Sequence, residues 1–113
     1  MEPICAFDRL VPGRGVAALL PDGAQVAVFR LVDDSLHAVS NQDPFTGANV
    51  LSRGLVGDRG GEPVVVSPLL KQAFSLTTGA CLDDEAVSLA VYAVEVLDGE
   101  IRVGARSEVE AVA

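Results

Sequence analysis

The residue types that most often carry out metal or redox chemistry are few in this chain and widely spaced. Its 113 residues contain two cysteines, Cys5 and Cys81, and one histidine, His37. A metal ligand needs several companions at recognisable spacings, and a catalytic histidine needs a nucleophile and an orienting partner; neither pattern surrounds His37. We therefore interpret His37 as a partly exposed strand residue. Both cysteines are interpreted as small buried hydrophobic residues with reduced thiols, which we favour over a disulfide.

Two further segments have the composition of ordered loops that present large apolar residues. The first, residues 41–47, reads NQDPFTG, and the second, residues 66–79, reads VSPLLKQAFSLTTG. Prolines and glycines restrict or shape the backbone around Phe45, Leu69 and Leu70. These three side chains either pack against each other in the interior or contact a partner, and the sequence permits both uses.

Asp43 is the only carboxylate of the first segment. Because it precedes a proline in a turn-forming stretch, its side chain is expected to accept local backbone N–H groups in an Asx turn. Binding of a hard cation is the alternative, but one carboxylate with few acidic neighbours makes a weak calcium or magnesium site.

The elements that must position these loops are short strands separated by turn signals, the pattern of an all-β sandwich or barrel. We predict strands at 4–7, 16–20, 24–31, 36–40, 63–67, 74–76, 89–97 and 101–103. The strand at 24–31 is long and apolar, so it is expected to be buried on both faces for much of its length. Asp98-Gly99 predicts a type I′ hairpin turn, because that geometry needs positive φ at both central residues.

The segment from 41 to 58 is expected to be irregular, apart from a short helical turn at 50–52. The acidic run at 83–85 either begins one short helix, favoured by the helix dipole, or forms a solvated loop. We expect a single domain over residues 1–104 and a flexible C-terminal tail over 105–113.

Composition argues against several classes of function. Acidic side chains outnumber basic ones 16 to 8, for a net charge of −8, so nucleic acid and anionic membrane surfaces are poor partners. The chain has no run of about 18 apolar residues that could span a bilayer. Its N-terminus lacks the basic and apolar regions of a signal peptide, so we predict a cytoplasmic protein.

Four stretches carry a resemblance that covers residues 4–103. They are NxDPF at 41–45, VLSRGLVGD at 50–58, SPLxKQxF at 67–74 and GxCxDD at 79–84. In these stretches the chain resembles the Rieske-like small subunit of the bacterial NAD(P)H-dependent assimilatory nitrite reductase. The resemblance implies a Rieske-type fold of antiparallel sheets with at most one short helix.

The same resemblance identifies the positions where a Rieske protein holds its [2Fe–2S] cluster. A Rieske centre takes two cysteines on one iron and two histidines on the other, and the family supplies them as Cys-x-His in one loop and Cys-x-x-His in the next. The equivalent positions here are Asp43, Phe45, Ser67 and Leu70. We therefore expect no cluster, no other metal and no catalytic residue in this chain.

The resemblance finally implies a role within a complex. In the family, a large subunit carries FAD, a [4Fe–4S] cluster and sirohaem, and it transfers electrons from NAD(P)H to nitrite to make ammonium. This chain is expected to be the accessory small subunit, which supports that partner by contact. A free-standing Rieske-fold binding module is the alternative, and a Rieske electron carrier is disfavoured because its ligands are missing.

We further predict that the two loops dock the large subunit, because apolar anchors inside a polar rim commonly carry interface energy. The residues predicted to dock are Pro44, Phe45, Arg53, Leu69, Leu70, Lys71 and Gln72.

Overall fold

The computed structural model describes residues 1–106, which form nine strands and two three-residue 3₁₀ turns. The strands are β1 (Glu2–Ala6), β2 (Arg14–Leu19), β3 (Gln25–Arg30), β4 (Leu36–Ser40), β5 (Leu55–Arg59), β6 (Glu62–Val66), β7 (Ala73–Ser75), β8 (Val91–Leu97) and β9 (Glu100–Arg106). The 3₁₀ turns are Phe7–Arg9 and Leu51–Arg53. The all-β prediction is confirmed, and none of the helical segments among these residues has the length and apolar character to traverse a bilayer.

The strands form two antiparallel sheets. The larger sheet has six strands in the order β1-β9-β8-β4-β3-β2, and the smaller has three in the order β5-β6-β7. Consecutive strands are neighbours wherever a short turn joins them, as in the β2–β3, β3–β4, β5–β6, β6–β7 and β8–β9 pairs. The two loops of interest therefore leave from different sheets: one follows β4, and the other joins β6 to β7.

Most predicted strands lie where the hydrophobic pattern placed them, and two turn predictions are confirmed. Asp98 and Gly99 have φ values of 55° and 76°, as a type I′ turn requires. The helical turn expected at 50–52 is present as the 3₁₀ turn Leu51–Arg53. The acidic run at 83–85 is an exposed loop without helix, in which Asp84 accepts a hydrogen bond from the Ala86 N–H at 3.0 Å.

Two predictions about the chain's organisation need correction. The segment 41–58 is not irregular to its end, because β5 begins at Leu55 and pairs along its whole length with β6. The strand β9 continues to Arg106, so the first two residues of the predicted tail are strand. The rest of that predicted tail lies outside the described residues.

The core consists of two clusters that share β3. Alternate residues of this strand face opposite sides, as the period of a strand requires. Ala27 and Phe29 belong to a cluster between the two sheets, whereas Val26 and Val28 belong to a second cluster inside the larger sheet. All four are fully buried, which confirms the prediction that this strand is buried on both faces.

Candidate functional site

The two loops meet through a single buried hydrogen bond between side chains. The Ser67 hydroxyl, at the end of β6, donates to Oδ2 of Asp43 at 2.6 Å. Both residues are completely buried. We name residues 41–50 the first loop and residues 67–72 the second loop, and this bond between them the carboxylate–hydroxyl clamp.

Asp43 also organises the first loop from within. Its Oδ1 accepts the Phe45 N–H at 2.8 Å, so the predicted Asx turn is present. Its backbone N–H donates to the Ala48 carbonyl at 2.8 Å, and its carbonyl accepts the Gly47 N–H at 2.7 Å. Both carboxylate oxygens are therefore taken by protein donors. Among the residues described, no three side chains of His, Cys, Asp or Glu come together as a metal site would need.

Asn41 anchors the start of the first loop, a role that sequence reasoning did not assign. Its Oδ1 accepts the Ser52 N–H at 2.7 Å, and its Nδ2 donates to Oε1 of Gln25 at 3.2 Å. Its backbone carbonyl accepts the Leu51 N–H at 3.0 Å. The available signal was an asparagine directly after a strand, a position where this side chain commonly bonds to nearby backbone.

Phe45 points inward. It is half-buried and packs against the cluster between the sheets, with its ring centroid 6.2 Å from that of Phe74. At this distance the two rings make a favourable tilted contact. Phe45 therefore packs on the interior, while its contact with a partner stays a prediction.

Unlike Phe45 in the first loop, the two leucines of the second loop point toward solvent. Its ends are joined by the Ser67 N–H, which donates to the Gln72 carbonyl at 2.9 Å, and by the Lys71 N–H, which donates to the Ser67 carbonyl at 3.2 Å. Leu69 and Leu70 remain 47% and 54% exposed. They therefore do not fill the space between the loops, and of the two uses that the sequence left open for them, contact with a partner stays a prediction.

The other residues predicted to dock are distributed around these loops. Pro44, Arg53 and Lys71 are exposed, and Gln72 is half-buried. Lys71 adopts φ of 66°, an uncommon conformation for a residue with a side chain. Oε1 of Gln72 is buried, and it has no hydrogen-bond partner within the part of the chain that the structure describes.

The cysteines lie outside the loops. Cys81 is buried in the cluster between the sheets, next to Phe74, as predicted. Cys5 is only half-buried in β1, and both thiols are free. Burial raises the pKa of the Cys5 thiol, although the nearby Arg9 opposes this. The thiolate is the reactive form, so this environment disfavours reactivity at Cys5.

His37 lies in β4 at the end opposite the loops, and it is half-buried as predicted. It lines a half-open crevice of about 550 Å³ between the β3–β4 turn and the β5–β6 hairpin. Burial lowers the pKa of His37, while the Leu76 backbone carbonyl and the Asp33 carboxylate favour its charged form and oppose the shift.

This lowered pKa predicts a pH-dependent loss of stability. As the pH falls below about 6.5, the unfolded chain binds a proton at this position before the folded chain does. The free energy of unfolding should therefore fall between that pH and the lower pKa of the folded state. His37→Gln should lack this part of the decrease when urea unfolding is followed between about pH 8 and pH 5. Parallel curves for the two proteins would contradict the prediction.

Comparison with known proteins identifies the family to which this chain belongs. Residues 1–104 match the model of the Rieske-like [2Fe-2S] domain. The chain is 48% identical over 102 residues to the "Nitrite reductase (NADH) small subunit" of Salmonella typhimurium, an alignment that covers 89% of this chain and 94% of that relative. This chain belongs to the Rieske-like family of NADH nitrite reductase small subunits.

A solved structure and a larger relative extend the comparison. The crystal structure described as an NADH-dependent nitrite reductase small subunit from Mycobacterium tuberculosis is 60% identical, has a TM-score of 0.88, and covers 90% of this chain and 91% of that one. A "Nitrite reductase [NAD(P)H] large subunit" from Klebsiella oxytoca is 41% identical over 103 residues. That match covers 91% of this chain but 11% of the Klebsiella protein, so the larger protein contains a segment similar to almost the whole of this one.

The residues of this Rieske-like chain do not fit the [2Fe–2S] group that gives the domain family its name. Such a centre needs two thiolates and two imidazoles. Asp43 and Ser67 are bonded to each other at 2.6 Å, Phe45 packs on Phe74, and Leu70 faces solvent. At the four positions that the family resemblance equates with the cluster ligands, the loops thus offer oxygen and hydrocarbon groups in place of sulfur and nitrogen.

Proposed function

We propose that this chain is the accessory small subunit of an NAD(P)H-dependent assimilatory nitrite reductase, and that it acts by contact without carrying a [2Fe–2S] cluster. The observation that carries the proposal is the carboxylate–hydroxyl clamp, because it joins the two loops directly through Asp43 and Ser67. In this proposal, a hydrogen bond within the chain joins the two loops that a cluster cross-links in a Rieske protein.

The Klebsiella relative supports a large subunit as the partner. In that protein a segment similar to this chain is part of a polypeptide named as a large subunit. A domain that occurs both separately and within a longer chain of the same enzyme is expected to work beside the rest of that chain. The partner is proposed to carry FAD, a [4Fe–4S] cluster and sirohaem, and to reduce nitrite to ammonium in the cytoplasm.

Two other roles have less support. A Rieske electron carrier would need the four ligands that are replaced here by Asp43, Phe45, Ser67 and Leu70. A free-standing binding module that reuses the fold would need no nitrite reductase partner. The fused arrangement in the Klebsiella relative favours the subunit over this second role.

The proposal predicts two results with the purified chain. Iron analysis should find no stoichiometric iron, and the absorption spectrum should lack the visible bands of a Rieske cluster, because the donor atoms are absent from the loops. Adding the chain to its large subunit should increase nitrite-dependent oxidation of NAD(P)H and should saturate near a fixed molar ratio. Rieske bands, or a large subunit that neither binds nor responds to the chain, would overturn the proposal.

A further inference from the structure

We infer that the large subunit docks on a surface of four exposed leucines around the second loop, and that Phe45 is not part of it. This inference rests on the proposed function, and it assigns the contact to specific residues. We call the four residues the leucine patch: Leu55, Leu69, Leu70 and Leu82, which are 74%, 47%, 54% and 38% exposed, respectively.

Strand pairing brings the members of the leucine patch to one end of the smaller sheet. Leu55 in β5 is directly opposite Val66, the residue before the second loop. Leu82 donates its N–H to the carbonyl of Ala73, the residue after that loop, at 2.8 Å. Leu69 and Leu70 lie in the loop between these two points. Because neighbouring strands are about 4.8 Å apart, the backbones of the four residues lie along this end of the sheet within about three strand spacings.

Hydrogen bonds hold the backbone of the second loop in one conformation, so its two leucines are ordered on the surface before any partner binds. The Ser67–Gln72 and Lys71–Ser67 backbone bonds close the loop, and the Leu69 N–H reaches the Ser67 hydroxyl at 3.3 Å. The clamp then fixes Ser67 to the first loop. Apolar groups that are ordered before binding lose less conformational entropy on binding, which favours affinity.

The charges around the patch differ between the side of the loops and the side of Leu82. The chain has a net charge of −8, yet the only carboxylate within the two loops belongs to Asp43, which is buried and bonded to Ser67. The exposed charges at the loops come from Lys71 and, just after the first loop, Arg53. On the side of Leu82 the exposed charges are the carboxylates of Asp83, Asp84 and Glu85. Asp83 accepts the Ala73 N–H at 2.8 Å and pairs with Arg59 at 3.5 Å.

This arrangement specifies the chemistry of the surface that fits it. An apolar patch with Lys71 and Arg53 on the side of the loops and carboxylates on the side of Leu82 is complementary to an apolar surface whose rim carries the opposite charge on each side. We assign that surface to the large subunit, because the Klebsiella relative joins the same kind of domain to a large-subunit chain. A second copy of this chain fits less well, because each copy carries a net charge of −8 and the two would repel each other.

The inference is tested with the intact chain and its large subunit by measuring the dissociation constant. Leu69→Asp and Leu70→Asp should each weaken binding by about 30-fold, the change expected for a central apolar anchor. Lys71→Glu should slow association most strongly at low ionic strength. The matched control is Leu97→Asp, because Leu97 is 45% exposed but lies in β8 of the larger sheet; it should bind within twofold of the wild type.

A second pair of measurements separates docking from folding. The replaced leucines are exposed, so the thermal midpoints of their variants should stay near that of the wild type. Phe45→Leu, which keeps an apolar group against Phe74, should also bind within about threefold. If the wild-type chain binds but the leucine-patch variants bind equally well, the docking assignment fails and the proposed function stands. If the wild-type chain does not bind at all, both fail.

Discussion

Replacing Asp43 by alanine is expected to lower the free energy of unfolding by about 2–4 kcal/mol, because hydrogen bonds to a charged group are strong and their loss leaves buried donors without partners. The substitution removes the acceptor for the Ser67 hydroxyl at 2.6 Å and for the Phe45 N–H at 2.8 Å. It also separates the two loops, since the clamp is their shared side-chain bond. Urea unfolding of the two proteins, followed by circular dichroism, measures this difference.

Two milder variants show whether the clamp is the cause. Asp43→Asn keeps an oxygen for the Phe45 N–H and an amide that can donate to Ser67, so it should cost about 1 kcal/mol. Ser67→Ala removes the hydroxyl but leaves the Asx turn intact, and it should lie between the other two. A Ser67→Ala protein as stable as the wild type would show that the clamp does not hold the loops together.

Gly79→Ala is expected to cost about 3 kcal/mol or more, the sum of a strained backbone and a steric overlap. Gly79 has φ of +83°, and a Cβ atom there would lie 2.1 Å from the carbonyl oxygen of Leu89. That oxygen belongs to the buried backbone, so a change of side-chain rotamer cannot move it away from the new Cβ atom. The residue follows β7 closely, so the damage should spread to the core around Phe74. The measurement is the midpoint and slope of denaturant unfolding.

A matched glycine separates the two contributions. Gly99 has a similar φ of +76°, but a Cβ atom there would meet nothing within 4 Å. Gly99→Ala should therefore show only the conformational cost, about 1 kcal/mol. If the two alanine variants were equally stable, the close approach of Leu89 to Gly79 would have no energetic consequence, contrary to the prediction.

The strands that could be predicted are those whose pattern is local. β3 has apolar residues on both faces, and the residue types Asp98-Gly99 predict a turn with positive φ at both positions. β5 was missed because Gly57 and Asp58 interrupt any apolar alternation and its first residue, Leu55, is largely exposed. Its stability comes from pairing with β6, and strand preference depends more on such neighbours than on the segment itself.

In the candidate site too, the local features followed from the sequence, whereas the contacts between the two loops did not. The sequence by itself determined which atoms the two loops can offer, namely a carboxylate, a hydroxyl and hydrocarbon in place of thiolates and imidazoles, and it also determined the Asx turn, whose donor is two residues away. Only the tertiary structure decided that Asp43 bonds to Ser67, 24 residues along the chain. It also decided that Phe45 faces Phe74 while Leu69 and Leu70 face solvent. The reason is physical: residue type sets what a side chain can bond to, whereas the packing of the two sheets sets what it meets.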